Sequence, residues 1–117
     1  MRQLPEAARR RLEECLEEAT LAAAVGDSTR MWRMLEDAHV LSQPSGYQHV
    51  RVHIRMLLGG WQTRDRAEVL GQVVRLLVAA PGSWSGRYPV GNTGRAGVPV
   101  TQEMPIRPDL EVLLGGG

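Results

Sequence analysis

Two histidines lie in the segment Gly46-Tyr47-Gln48-His49-Val50-Arg51-Val52-His53-Ile54-Arg55-Met56-Leu57-Leu58 of this chain of 117 residues. This segment determines the fold and the site that the sequence predicts. Its two histidines stand four positions apart, a spacing that puts two side chains on one face of a helix. The only other histidine, His39, follows three positions after Glu36. Two neighbouring helices are therefore predicted to present these four side chains to a common space.

The chemistry of these side chains indicates a metal site. Imidazole and carboxylate groups together suit a first-row transition metal. The predicted ligands are His39, His49, His53 and Glu36. The pattern does not choose among Fe, Mn, Zn and Cu, and the uses it suggests are metal storage, sensing, detoxification or oxygen chemistry. Whether the protein is an enzyme stays open, because the sequence shows no pair of nucleophile and base.

Other ligand sets stay open at this point. A dinuclear centre of the kind found in carboxylate bundles would need further acids or a second subunit, because the chain has one Glu-x-x-His pattern. The candidate acids of the first helix are Glu14, Glu17 and Glu18. Met34, Met56 and Cys15 keep copper open, since sulfur favours Cu(I), although such methionines are usually core filler. Haem is less favoured, since His49 and His53 share one helix face and would not ligate opposite sides of it.

The balance of charges limits the classes of partner that the sequence predicts. Fourteen basic residues, all of them arginine, oppose thirteen acidic ones, for a net charge of +1. This balance disfavours nucleic acid and an anionic membrane as partners. No apolar run approaches the roughly 20 residues that span a bilayer. The N-terminal residues also lack the apolar region of a signal peptide, so we expect a cytoplasmic protein.

Hydrophobic periodicity predicts four helices. The predicted spans are residues 5–25, 29–42, 47–58 with a continuation to 61, and a fourth helix between 65 and 81. Gly26 is expected to end the first helix, Asp27 or Ser28 to cap the second, and Asp65 with Glu68 to form a capping box for the fourth. The predicted inward residues of the first two helices are Ala8, Leu12, Cys15, Leu16, Ala19, Ala23, Met31, Leu35 and Ala38.

The later helices also carry apolar stripes, which normally pack against a core. On helix three the stripe lies beside the histidine strip and consists of Val50, Ile54, Leu57 and Trp61. The stripe of helix four consists of Ala67, Leu70, Val73, Val74 and Leu77. We therefore predict an all-α domain in which four helices form two helical hairpins, over residues 1–80.

A long irregular tail rich in proline and glycine is predicted for residues 81–117, as part of the same domain. It carries more large apolar residues than a disordered segment usually has. We therefore expect it to pack on the bundle through Trp84, Tyr88 and Ile106. Within it, Gly91-Asn92-Thr93-Gly94 is typical of a tight turn that needs positive φ.

Two further expectations concern partners. Four helices of this length leave apolar surface to pair, so we expect a homodimer. The alternative to a metal protein is a tetratricopeptide-like module that binds another protein, because Met31, Leu35 and Ala38, followed by Pro44, roughly imitate the second helix of that repeat.

Several segments together resemble a family of small bacterial proteins known as domain of unknown function 3703. They are residues 38–41, the two-histidine segment 49–57, Pro89-Val90-Gly91-Asn92-Thr93-Gly94, and residues 104–110 around Met104-Pro105-Ile106. The resemblance implies a small, mainly helical protein and supplies no activity. It includes all three histidines, which favours a shared site, and it does not extend to the acids of the first helix.

Overall fold

The structure, a computed structural model, describes residues 3–84, 88–99 and 101–115, without the side chains of residues 78–84. In this part of the chain every regular element is a helix. The helices are α1 (Glu6–Ala24), α2 (Ser28–Ser42), α3 (Gly46–Gln62), α4 (Arg66–Trp84) and α5 (Pro108–Leu113). The predicted all-α class and the four long helices are confirmed.

The first four helices pair in the order of the chain. α1 packs on α2, α3 packs on α4, and α2 lies beside α3. Gly26 adopts a φ of +76° after α1, and the Asp27 carboxylate accepts a hydrogen bond from Arg30 N at 3.0 Å. Asp65 caps α4 in the same way, at 3.1 Å from Glu68 N. The predicted caps at Asp27 and Asp65 are therefore confirmed, whereas the Glu68 carboxylate turns inward.

The apolar core is built mainly from α1 and α2. Most inward residues predicted for these helices are buried, with Ala22 buried in place of the more open Ala23. α3 adds Val52 and Met56, and the short helix α5 adds Leu110. Because burial of apolar side chains is the main favourable term in folding, this core holds α1, α2 and α3 together.

The apolar stripe of α4 faces outward, contrary to the usual pattern, and the stripe of α3 does so in part, since its Val50 and Leu57 are half-buried. Leu70, Val73, Val74 and Leu77 on α4 are exposed, as are Ile54 and Trp61 on α3. The buried side of α4 is instead polar and consists of Glu68, Gln72 and Arg75. The reason lies in the interior: α4 covers the histidines and the backbone of residues 92–98, which need hydrogen-bond partners more than apolar contact.

The described parts of the C-terminal segment contact the helices. Gln43 holds one end, because its side chain donates to Pro89 O at 2.8 Å and accepts from Gly91 N at 2.9 Å. Arg75 donates to Val98 O at 2.5 Å, and Ile106 packs against the core. Tyr88 is half-buried. The predicted packing of the Trp84 side chain lies outside the described residues.

Two boundaries differ from the prediction. α4 continues three residues beyond Pro81 to Trp84, since a proline near the end of a helix removes only one backbone hydrogen bond. The C-terminal segment, predicted to be irregular, contains the short helix α5, which begins at Pro108. The interpretation as a tetratricopeptide-like module and the division at residue 80 stay predictions.

Candidate metal centre

The three histidines meet at the junction of α2, α3 and α4. His39 lies near the end of α2, and His49 and His53 lie one turn apart on α3. All three side chains are buried, at 3–6% exposure. The spacing of four residues between His49 and His53 therefore places both side chains on the face of α3 that is turned toward the protein interior.

The Nε2 atoms of the three rings point at one another. His39 Nε2 lies 3.1 Å from His53 Nε2 and 3.0 Å from His49 Nε2, and the remaining pair is 3.2 Å apart. Among the described residues, these histidines form a group whose ligand atoms are close enough to share one metal ion. The arrangement is a nearly equilateral triangle of nitrogen atoms.

Hydrogen bonds to the Nδ1 atoms fix two of the rings. His39 Nδ1 lies 2.6 Å from Asn92 O, and a carbonyl oxygen can only accept, so this nitrogen carries the hydrogen and donates it. His53 Nδ1 lies 2.6 Å from Gln72 Oε1 and donates in the same way. In the neutral state, both rings therefore direct an Nε2 lone pair into the triangle.

The orientation of the Gln72 amide follows from its other contacts. Gln72 is fully buried, and its Nε2 donates to Gly94 O at 2.7 Å and to the Glu68 carboxylate at 3.0 Å. Both of these partners are acceptors, so the amide nitrogen faces them and the oxygen faces His53. The hydrogen-bond chain from Glu68 through Gln72 therefore sets the tautomer of His53.

Glu68 anchors this chain from α4. It is 4% exposed, and its carboxylate accepts from Arg95 Nε and from Ala96 N, the latter at 3.1 Å. With Gln72, these groups give the buried carboxylate three donors, which offset the cost of removing it from water.

The turn at residues 91–94 closes over the site. Gly91 and Gly94 have φ values of +81° and +83°, which confirms the predicted tight turn. A Cβ at Gly94 would lie 2.6 Å from His39 Cδ2, so the glycine backbone packs directly on the imidazole. The side chain of Asn92 holds the turn, accepting from Gly94 N at 2.8 Å and donating to Pro99 O and Gln102 O.

Burial keeps the rings of His39 and His53 neutral. It lowers the pKa of His39 well below its usual value, and the neighbouring His53 and His49 lower it further. Burial also lowers the pKa of His53 to about 4, opposed by its hydrogen bond with Gln72, while the charge of Arg75 contributes to the lowering. At neutral pH, His39 and His53 therefore offer unprotonated imidazoles.

Neutral rings in this arrangement leave a conflict between lone pairs. The Nε2 atoms of His39 and His53 are 3.1 Å apart, yet neither carries a hydrogen when Nδ1 donates. His49 can donate from Nε2 to one of them at most. An electron-pair acceptor bound between the three nitrogens would relieve this repulsion.

The structure places Glu36 apart from this triangle. Its carboxylate forms an ion pair with Arg95 at 3.3 Å, and the Arg95 guanidinium stacks on Trp32 at 3.9 Å from the ring centre. Burial raises the pKa of Glu36. Three of the four predicted ligands are thus brought together, and the fourth lies in a neighbouring ion pair.

The other candidate ligands lie elsewhere. Glu14 and Glu18 pair with Arg11, and Glu17 is exposed on α1. Cys15 is buried in the apolar core, where burial raises the pKa of its thiol to about 11. It therefore stays protonated at neutral pH, the form that does not ligate metals.

Sequence reasoning missed the residues that orient the histidines, which are Glu68, Gln72 and Asn92. A signal for two of them was present. Glu68, Gln72 and Arg75 follow one another at helical spacing in a segment whose other residues are mostly apolar. A polar stripe on such a helix indicates that the polar face is the one turned inward.

Comparison with known protein families places the site residues within a family match. The family described as "Protein of unknown function (DUF3703)" matches residues 6–114. No curated protein and no solved structure matches the chain. Within the described residues, none of the helices has the length and apolar character that crossing a membrane requires.

Proposed function

Because this chain belongs to the DUF3703 family, whose description names no activity, we propose its function from the site: His39, His49 and His53 bind one transition-metal ion. The observation that carries the proposal is the convergence of three Nε2 atoms within 3.0–3.2 Å, two of them fixed as lone-pair donors.

The spacing of the nitrogens fits an ion of ordinary size. Zn²⁺ binds imidazole nitrogen at about 2.0–2.1 Å. Three nitrogens 3.0–3.2 Å apart can each reach one ion at that distance. His39, His49 and His53 would then hold the ion and leave a position for a further ligand.

The surroundings support the same conclusion. Histidines that bind metals usually donate their second N–H to a carbonyl or carboxylate, which fixes the ring and makes it a better ligand. His39 does so with Asn92 O, and His53 does so with Gln72, which is itself bonded to Glu68. The outer negative charge of Glu68 partly offsets the positive charge of a bound ion.

The donor set favours some metals over others. Imidazole suits zinc, copper and iron, whereas manganese prefers oxygen ligands. A shell of three imidazoles without Glu36 therefore favours Zn, Cu or Fe over Mn. Haem fits poorly, because nitrogens 3.0–3.2 Å apart leave no space for a porphyrin between two of the rings.

The enclosure of the site favours retention of the ion. All three histidines are nearly inaccessible, and the Gly91–Gly94 turn covers His39. An ion held in this way exchanges when the turn moves, so storage, sensing or detoxification accords better with the geometry than rapid turnover of an external substrate.

The test is metal binding by untagged protein. Co²⁺ and Zn²⁺ are titrated into metal-free wild type and into the triple variant His39→Ala/His49→Ala/His53→Ala, with calorimetry and the visible Co²⁺ spectrum as readouts. Wild type should bind one ion per chain and the variant none. The control Glu14→Gln/Glu17→Gln/Glu18→Gln should bind normally. Equal binding by the histidine variant, or a featureless Co²⁺ spectrum with wild type, would overturn the proposal.

A further inference from the structure

α4 exposes its apolar side over several turns. From residue 67 to residue 77, each exposed side chain is apolar, and both charged residues, Glu68 and Arg75, are buried. Helices at a protein surface normally show the reverse pattern. We therefore expect another surface to cover the apolar stripe of α4, which consists of Leu70, Val73, Val74 and Leu77.

α3 carries a second exposed stripe that meets the first. Ile54, Leu58 and Trp61 follow one another at helical spacing and are exposed. Trp61 and Leu70 line the same groove beside the α3–α4 turn, together with Gly60, Val69 and the charged residues Arg64, Asp65 and Arg66. We call the two stripes together the outer face, which consists of Ile54, Leu58, Trp61, Leu70, Val73, Val74 and Leu77.

We propose that the outer face is the interface of a homodimer. Its seven side chains are 46–76% exposed. At roughly 100 Å² of exposed surface for each, the outer face offers about 700 Å² per copy, close to the roughly 800 Å² that each partner of a stable complex buries. An apolar patch of this size is also larger than a typical monomer leaves open.

A second copy of this chain fits the face better than other occupants. The seven side chains of the outer face carry no charge, and Arg64, Asp65 and Arg66 at one end of it carry both signs, so the face lacks the single-sign charge that a nucleic acid or a charged peptide would require. A membrane-surface helix would show exposed basic residues along its length, and α4 has none between residues 67 and 77. Two identical hairpins can instead pair about a twofold axis, so that each stripe covers its counterpart in a four-helix arrangement.

This inference does not depend on the metal. The inner residues of α4, Glu68 and Gln72, face the histidines, whereas the proposed interface uses the opposite side of the helix. The oligomeric state is therefore to be measured for metal-free and metal-treated protein alike.

The test compares two leucines of similar exposure on different helices. Leu70 on α4 is 68% exposed and Leu21 on α1 is 63% exposed. Sedimentation velocity at micromolar concentration should give a dimer for wild type and for Leu21→Asp, and a monomer for Leu70→Asp. Circular dichroism checks that each variant is folded, and Val74→Asp provides a second substitution on the outer face.

Three results would overturn the proposal. The first is a monomeric wild type over the whole micromolar range. The second is a dimer that survives both Leu70→Asp and Val74→Asp. The third is a wild type that sediments as a monomer but binds neutral phosphatidylcholine vesicles, with binding lost in Leu70→Asp, which would assign the face to a lipid surface.

Discussion

The Nδ1 atom of His53 lies 2.6 Å from Oε1 of Gln72, so a buried amide on α4 determines which nitrogen of a histidine on α3 faces the candidate metal centre. The amide has no freedom to turn over, since its nitrogen is committed to Glu68 and to Gly94 O. This contact links both helices of the second hairpin, α3 and α4, to the chemistry of the site.

The first prediction concerns Gln72. Replacing it by leucine, in Gln72→Leu, removes the acceptor for His53 Nδ1–H and the donor to Glu68. Loss of such an outer partner typically lowers metal affinity by about 10–100-fold, and we expect that range for Zn²⁺ in competition with a chelator. The matched control, Gln62→Leu at the exposed end of α3, should keep wild-type affinity. Equal affinities for the two variants would contradict the proposed role of Gln72.

The second prediction is a loss of stability of the metal-free protein in mild acid. The folded state holds the pKa of His53 at about 4, whereas the unfolded chain takes up a proton near pH 6.5. Between these values the unfolded state binds more protons, so the free energy of unfolding falls as pH drops from about 6.5 to about 4. Urea titrations at pH 7, 6, 5 and 4 measure it.

A variant that lacks two of the histidines serves as the control for this loss of stability in mild acid. In His39→Gln/His53→Gln, neither side chain titrates, so the decline between pH 6.5 and pH 4 should become shallower by the contribution of these two groups. An identical pH dependence in wild type and in this variant would assign the decline to carboxylates instead.

The third prediction concerns Gly94. In Gly94→Ala, the new Cβ would lie 2.6 Å from His39 Cδ2, and alanine would have to adopt a φ of +83°. The unfavourable φ alone costs about 1–3 kcal/mol, and the contact displaces either the turn or the ring. We expect a lower thermal midpoint together with weaker metal binding.

Gly97→Ala is the matched control for this substitution. Gly97 lies three residues further along the same segment, and a Cβ there would meet nothing within 4 Å. This variant should retain wild-type stability and metal binding. Equal losses in both variants would show that the segment tolerates no substitution, irrespective of His39.

The fourth prediction separates Glu36 from the ligands. Its ion pair with Arg95 is partly exposed, at 27% and 31% for the two side chains. Such pairs contribute at most about 1 kcal/mol, so Glu36→Gln should destabilise the protein slightly and leave metal content unchanged. Atomic absorption on protein dialysed against a weak chelator measures that content. Loss of metal in this variant would restore Glu36 to the ligand shell.

Local spacing was enough to predict the histidine triad. His49 and His53 share a helix face whatever surrounds them, and a short turn after Ser42 leaves His39 close by. The helix caps at Asp27 and Asp65 could also be predicted from the sequence, because a cap depends on residues three positions apart. These features depend on contacts within a few turns of the chain.

The orientation of α4 could not be predicted in the same way. Periodicity identifies an apolar stripe but does not say whether that stripe meets this chain or another surface. The orientation of α4 is set by the protein interior, where the imidazoles and the backbone of the 91–94 turn require hydrogen-bond partners such as Gln72. The hydrogen bond between His39 and Asn92, which lies 53 positions away, cannot be predicted from a local sequence pattern.

The close packing of Gly94 on His39 also has a consequence for the order in which the molecule is built. Both helices that carry the histidines are complete at residue 62, yet Asn92 and Gly94 leave the ribosome some thirty residues later. A growing chain therefore holds three imidazoles without the carbonyl that sets the His39 tautomer or the backbone that covers the ring. If the proposed function is right, a bound ion would be held at full affinity only after this distant segment has been synthesised and docked on His39, so completion of the site would mark the folding of residues far beyond the helices that carry the histidines.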